Sequence, residues 1–305
     1  MMLGLREVSR KRNLACRYLP RQTGRPSFRT MTGAADWKGG VGRNWAAEWR
    51  RTDRSFAGLT RVLLARISRL PGRAVVDIGC GAGELSLAIA RARPRARVLG
   101  IDISPDLVAA AAVRGSRTVN CVFALADATC WEADRGAPEL YVSRHGVMFF
   151  SDPVAAFAHL AAVAAPDARL AFSCFRSPAQ NPWAGALAAM IDGPAAPSDP
   201  AAPGPFAFAD PERVAGILAA AGWREATFEP VDYRYLAGAG ADPLGDACEF
   251  FLRIGPAAAA FRGLAEEQRA PAMARMEAFL AEHLANDEVA FPAAAWIVTA
   301  RRGAP

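Results

Sequence analysis

The sequence predicts an α/β chain, a mostly parallel sheet with helices on both faces, and three observations lead to that class. Short β-branched runs alternate with helical periodicity from about residue 54 to residue 175, the pattern of strands joined by crossover helices. The first run leads into three closely spaced glycines and then a helix, Gly79, Gly81 and Gly83 before Glu84. The second ends at Asp102 and is followed by Ser104-Pro105, where serine caps a helix and proline takes its first position.

In chain order, Arg54 to Leu70 carries Phe56, Leu59, Val62, Leu63, Ile67 and Leu70 at helical spacing, and Pro71-Gly72 ends that helix. A strand at 74–78 runs through the glycine turn into a helix at 84–91. Strands follow at 97–102, about 118–124, 139–143 and 169–174, with helices opened by Ser104-Pro105 and by Asp152 between them. Beyond Phe175 the texture changes: residues 178–210 are rich in Pro, Ala and Gly around an apolar patch at 183–191. A helix at 210–221 ended by Gly222, a strand at 225–230, a loop at 236–247, a mostly helical stretch to about 284 and a last strand at 294–300 complete the reading. That makes seven strands. The core is expected over about 54–175, 209–235 and 293–302, with 176–208 and 236–290 folding over the carboxyl ends of the strands as a lid.

The chain has 305 residues, 52% hydrophobic and 22% charged, enough apolar material for a sizeable core and too little charge for disorder. No apolar run reaches the roughly 18 residues of a spanning helix. Six scattered cysteines without a C-x-x-C pair, and only three histidines, argue against a metal centre or a disulfide framework and fit a cytoplasmic protein. The first 34 residues hold eight basic side chains against Glu7, +7 of a chain that totals +6, so the folded part is close to neutral and no nucleic-acid partner is expected. This tail reads as a targeting peptide, a basic disordered arm, or a segment outside the working protein, Met31 being a second plausible start. The third reading is preferred, which leaves one domain at 35–305.

The glycine spacing decides the ligand class. A dinucleotide turn needs G-x-G-x-x-G, but its third position is Glu84. Glycines at 79, 81 and 83 after the acidic strand end at Asp77 instead resemble motif I of the class I S-adenosylmethionine-dependent methyltransferases; the alternative is a tight turn without a ligand. The resemblance implies a Rossmann-like fold with a seven-stranded, mostly parallel sheet and S-adenosyl-L-methionine as cofactor. It places Asp77, Gly79, Cys80, Gly81, Ala82 and Gly83 against the methionyl and ribose portions, where glycines let the backbone approach. Asp102 with Ile103 would meet the ribose hydroxyls, Asp127 with Ala128 the adenine, and Ser143 would complete the cofactor set. Asp127 could equally be a turn cap.

The phrase Ser143 to Pro153 is similar to a subgroup of small-molecule enzymes grouped with the ubiquinone/menaquinone methyltransferases. So are Trp37 with Gly42-Arg43-Asn44-Trp45, Asn181-Pro182-Trp183, Pro205 to Pro211 and Ile254-Gly255-Pro256. Together these cover about residues 35–302. The chain departs from the subgroup at His145, where an aromatic residue is more usual. It has no Asn/Asp-Pro-Pro-Phe/Tyr tetrad for amino methylation of adenine, cytosine or glutamine, and no paired cysteines for attack on a pyrimidine carbon. Methyl transfer needs alignment and exclusion of water, plus a base when the acceptor is a hydroxyl or an acidic carbon. His145 is the candidate base, with a hydrogen-bonded structural histidine as the alternative. Arg144 is the candidate anchor for an acidic group, with an internal salt bridge as its alternative. Trp37 and Trp45 would either close over the cofactor or pack the first helix, and packing is preferred. Phe206, Phe208, Phe250 and Phe251 would line an acceptor pocket or, as aromatic residues at such spacing more often do, form core.

The expected function is methyl transfer to a small, partly apolar acceptor on oxygen or carbon, by a monomer or homodimer. The alternatives are a non-catalytic S-adenosylmethionine-binding protein, an RNA methyltransferase using the basic tail and, least favoured, an NAD-dependent oxidoreductase.

Overall fold

A computed structural model describes residues 33–192 and 202–303, all within the compact unit Met31–Pro305. The basic tail through residue 32, with its three readings, lies outside the described residues, as does the Pro-rich part of the first lid segment at 193–201.

Three helices precede the sheet: α1 (Ala34–Trp37), α2 (Gly40–Ala47) and α3 (Trp49–Ile67). Strand β1 (Ala74–Ile78) leads to α4 (Glu84–Ala92), β2 (Arg97–Asp102) to α5 (Pro105–Gly115), and β3 (Cys121–Leu125) to β4 (Leu140–Arg144). Then come α6 (Pro153–Val163), β5 (Arg169–Phe175), α7 (Pro182–Asp192), α8 (Pro211–Ala220) and β6 (Trp223–Ala239). The insert α9 (Pro243–Arg253), α10 (Gly255–Arg262) and α11 (Glu266–Ala281) precedes the two-residue β7 (Leu284–Ala285) and β8 (Glu288–Arg302).

The sheet order is β3-β2-β1-β4-β5-β8-β6, with β7 added on β8. Strands β1 to β5 pair in parallel, and β8 runs antiparallel to both β5 and β6. This is the mostly parallel seven-strand path expected, widened by β7. Strand β1 lies between β2 and β4, so the strand order reverses there, and the crevice outside the carboxyl ends of β1 and β4 is where such sheets hold ligands.

The two-residue period of a strand sends alternate side chains to opposite faces, and the core divides accordingly. Val75, Val98, Leu140 and Val142 pack with Leu59, Leu63 and Ile67 of α3 and Leu85 and Ile89 of α4. Val76, Ile78, Leu99, Ile101 and Tyr141 pack with Phe157 and Leu160 of α6 and with α8 and the lid. Two polar tips in this second layer are satisfied: Trp223 Nε1 donates to Phe157 O at 2.9 Å and the Tyr141 hydroxyl to Leu160 O at 3.1 Å.

The end of the sheet departs from expectation. The last two long strands were expected at 225–230 and 294–300, with a loop from 236, but β6 and β8 form one ladder from Trp223↔Arg302 to Ala239↔Glu288. Its buried positions Val231, Tyr235 and Ala237 alternate with exposed Asp232 and Arg234, so pairing carries both strands well past the sheet body. Residues 243–247 are helix rather than loop, the start of α9, because the Asp242 side chain caps it by accepting from Gly245 N–H at 2.9 Å; the helix expected beyond 247 is found. The ladder and α9 to α11 carry the lid, with α7 packed against α10 and α11. The start of α7 is pinned by Asn181, fully buried, which exchanges two 3.0 Å hydrogen bonds with the Ala294 backbone. Among the described residues no helix is long and apolar enough to cross a membrane.

Candidate active site

A cavity of about 260 Å³ opens at the carboxyl ends of β1, β2 and β4. Gly79, Cys80, Gly81 and Ala82 of the turn after β1 line one wall, joined by Asp77, Asp102, Ile103, Asp127 and Ala128. Two predicted cofactor residues do not face it. Gly83 caps α4 in the left-handed region, φ 86°, where glycine is favoured. Ser143 is fully buried: its hydroxyl donates to Ile78 O at 2.7 Å and accepts from Gly146 N–H at 3.1 Å. It ties the turn after β4 to the turn after β1 and is a scaffold residue, not a wall residue.

The turn is organised by one carboxylate. Asp102 accepts from Gly81 N–H through Oδ2 and from Ser104 N–H through Oδ1, both at 2.9 Å. A carboxylate offers about four lone-pair sites, so both oxygens retain capacity for further donors. Gly81 has φ 55°, and a Cβ placed on it would meet nothing within 4 Å: the backbone is bare where it faces open space. Asp127 accepts from Thr129 N–H and Oγ1 through Oδ1, at 3.0 and 2.7 Å, so the turn-cap role exists alongside its place in the wall.

Asp77 is buried, with Oδ2 accepting from Ser86 Oγ at 2.6 Å and Oδ1 lacking a partner. Burial pushes its carboxyl up to about 7, against the pull of the Ser86 hydrogen bond and the Arg144 charge. The folded chain therefore holds a proton that the unfolded chain releases near pH 4, and stability attributable to this group falls as pH rises from about 4 to about 7. Asp77→Asn is expected to melt progressively higher relative to wild type across that window; thermal melts at pH 4, 5.5 and 7.5 showing a constant difference would refute this.

The remaining wall is aromatic. Trp37 lies edge-on to Trp45 at 5.5 Å and to Phe149 at 5.2 Å, and all three line the cavity. Of the two readings for these tryptophans, packing is the one preferred from the sequence; Trp45 does pack against the core, and both rings also line the cavity. Phe208, Phe250 and Phe251 are core, with exposures of 2% or less, while Phe206 packs on Phe175, 5.8 Å between ring centroids. Phe56, Phe175, Trp183 and Tyr235, none of them singled out from the sequence as site residues, line the wall. They come from α3, β5, α7 and β6, brought together only by the lid and ladder.

Arg144 and His145 also line the cavity. Arg144 is held by Glu84, by Thr60 Oγ1 at 2.8 Å and by Asp53 at 3.9 Å, and Asp53 also binds Arg114 at 2.6 Å. The internal salt bridge weighed for Arg144 is the arrangement found. His145 has φ 62°, stacks on Phe175 at 4.0 Å and 13°, and has both ring nitrogens covered and unpartnered. Burial, assisted by the Arg144 charge, holds it well below the usual histidine range, as neutral imidazole. His159 and His283 hydrogen-bond to Trp131 O and Phe279 O.

Comparison with known proteins agrees with this geometry. Residues 75–167 match the family described as "Methyltransferase domain". Over 109 residues the chain is 33% identical to trans-aconitate 2-methyltransferase of Methylobacterium radiotolerans, covering 36% of this chain and 40% of that protein. The Escherichia coli protein of the same name is 30% identical over 132 residues, 43% of this chain and 48% of its own. The chain thus spans about half the length, or less, of these curated relatives. The structure of YcgJ from Bacillus subtilis shares the fold, with a TM-score of 0.51 at 16% identity over 80% of this chain and 98% of that one. Strand order, the glycine turn with its carboxylates and the matched segment lead to one conclusion: residues 75–167 are similar to the methyltransferase domain of the class I S-adenosylmethionine-dependent enzymes.

Proposed function

We propose that the chain transfers the methyl group of S-adenosylmethionine to a small-molecule acceptor, on oxygen or carbon. The observation that carries this reading is that the Gly81–Asp102 wall and the aromatic wall meet in a single cavity. The residues present fit the cofactor: a glycine backbone bare toward open space, a carboxylate able to accept from vicinal hydroxyls, and Asp77 Oδ1 buried without a partner. Asp127 and Ala128 are suited to the adenine, and Trp37 with Trp45 would cover it from the side of α1 and α2.

Bound there, S-adenosylmethionine supplies an electrophilic methyl group on a sulfonium. The chain's own part is to hold the acceptor in line and keep water out. The aromatic wall serves the second task. His145 is the one imidazole in the wall, and its use as a general base requires the ring to turn off Phe175, since both nitrogens are covered. Arg144 acts through Glu84 and Asp53 as a positioning residue.

The test is incubation with S-adenosylmethionine bearing a radiolabelled methyl group and a panel of small hydroxylated compounds, with bulk RNA as a separate acceptor. Label in a small organic product is the expected result. Label found only in RNA, or no transfer to any acceptor, would overturn the proposal.

A further inference from the structure

Resting on the methyl-transfer reading above, we infer that Asp53 and Glu84 are specificity-determining residues: by holding Arg144 they restrict the acceptor to uncharged, largely apolar molecules and reject polyanions. Among the described residues lining the cavity, Arg144 is the one cation, against the carboxylates of Asp53, Asp102 and Asp127. Its guanidinium is taken up by Glu84, Asp53 and Thr60 and lies over the Phe56 ring, 5.0 Å from the centroid. An entering carboxylate would find no unpaired cation among the chain's own cavity side chains and would face their negative charge.

What the acceptor side offers instead is ring surface. Trp183 stacks on Tyr235 at 4.4 Å and 3°, His145 on Phe175 at 4.0 Å and 13°. Phe56 joins the two pairs, 5.2 Å from His145 and 5.4 Å from Tyr235, and Trp183 lies 5.5 Å from Phe175. All line the cavity. Such a wall gains from burying apolar or aromatic surface and gives nothing to a hydrated polyanion, whose desolvation it cannot offset. By this reasoning the tricarboxylate in the name of the relatives does not carry over to this chain.

The device is a clamp on one side chain, so loosening the clamp should change selectivity and not only stability. The experiment titrates the full chain with 1-naphthol as the neutral probe and trans-aconitate as the anionic one, with and without S-adenosylhomocysteine. The same titrations are run on Glu84→Gln, Asp53→Asn and the conservative Glu84→Asp. Wild type is expected to bind naphthol at least about tenfold more tightly than trans-aconitate. Glu84→Gln and Asp53→Asn are each expected to shift that ratio about tenfold toward the anion, a change of about 1.4 kcal/mol, and Glu84→Asp to restore it. A purely structural role would lower the melting temperature and weaken both probes alike. Trans-aconitate binding as tightly as naphthol in wild type, binding of neither probe, or an unchanged ratio in the folded variants overturns the inference. Should both charge variants fail to fold, the wild-type ratio decides alone. Naphthol preference without any binding of S-adenosylhomocysteine would overturn the methyl-transfer reading and leave only the clamp's effect on which ligands the cavity admits.

Discussion

Asp102→Ala is expected to lower affinity for S-adenosylhomocysteine by two orders of magnitude or more. The carboxylate does two jobs at once. It fixes the turn through Gly81 N–H and Ser104 N–H, and it presents the remaining lone pairs to whatever lies in the cavity. Hydrogen bonds to a charged group contribute about 1.5–3 kcal/mol each. Loss of two to ribose hydroxyls therefore amounts to about 3–6 kcal/mol, or roughly 10²- to 10⁴-fold in affinity. Isothermal titration of the variant beside wild type reads the loss directly, and a melting curve separates it from unfolding. A variant that stays folded and binds within about tenfold of wild type would remove Asp102 from the cofactor site.

Gly79→Ala should damage fold and site together. Gly79 has φ 62°, and a Cβ built on it would stand 2.9 Å from Gly146 Cα, closer than real Cβ contacts allow. The turns after β1 and β4 touch back to back here, and a Cβ at Gly146 would in turn meet Ile78 O at 2.6 Å. Left-handed backbone costs an ordinary residue about 1–2 kcal/mol, and overpacking adds about 1–3 kcal/mol. The variant is expected to lose about 2–5 kcal/mol of stability, seen as a lower urea midpoint with an unchanged slope. Gly136→Ala is the control: its φ is also positive, 95°, but nothing lies within 4 Å, so only the conformational cost applies. Equal losses at the two positions would mean that the close approach of the turns contributes nothing.

Much of the sheet and one wall of the site could be read from the sequence because both depend on local signals. Strands β1 and β2 fall where their β-branched runs lie, and α5, α6 and α8 begin where Ser104-Pro105, Asp152-Pro153 and Asp210-Pro211 place them. The same signature at Asp242-Pro243 opens α9, yet the glycines around it, Gly238, Gly240 and Gly245, read as a loop. The extension of β6 to Ala239 was legible as alternation at Val231, Tyr235 and Ala237, but cross-strand pairing with β8, some 50 residues away, is what makes it strand. The aromatic wall was not legible. Phe56, Phe175, Trp183 and Tyr235 sit on four distant elements, and nothing in the spacing of an aromatic residue tells wall from core. The same holds for the Arg144 clamp: Glu84 stood out only as the residue that breaks the dinucleotide pattern, and Asp53 did not stand out at all.

The central claim, that the glycine turn with Asp102 holds S-adenosylmethionine, is tested most directly by calorimetric titration of the full chain with S-adenosylhomocysteine, with NAD as control. The account predicts one site saturating in the micromolar range for S-adenosylhomocysteine and no heat of binding for NAD. Saturable binding of NAD, or no binding of S-adenosylhomocysteine by the folded protein, would contradict it.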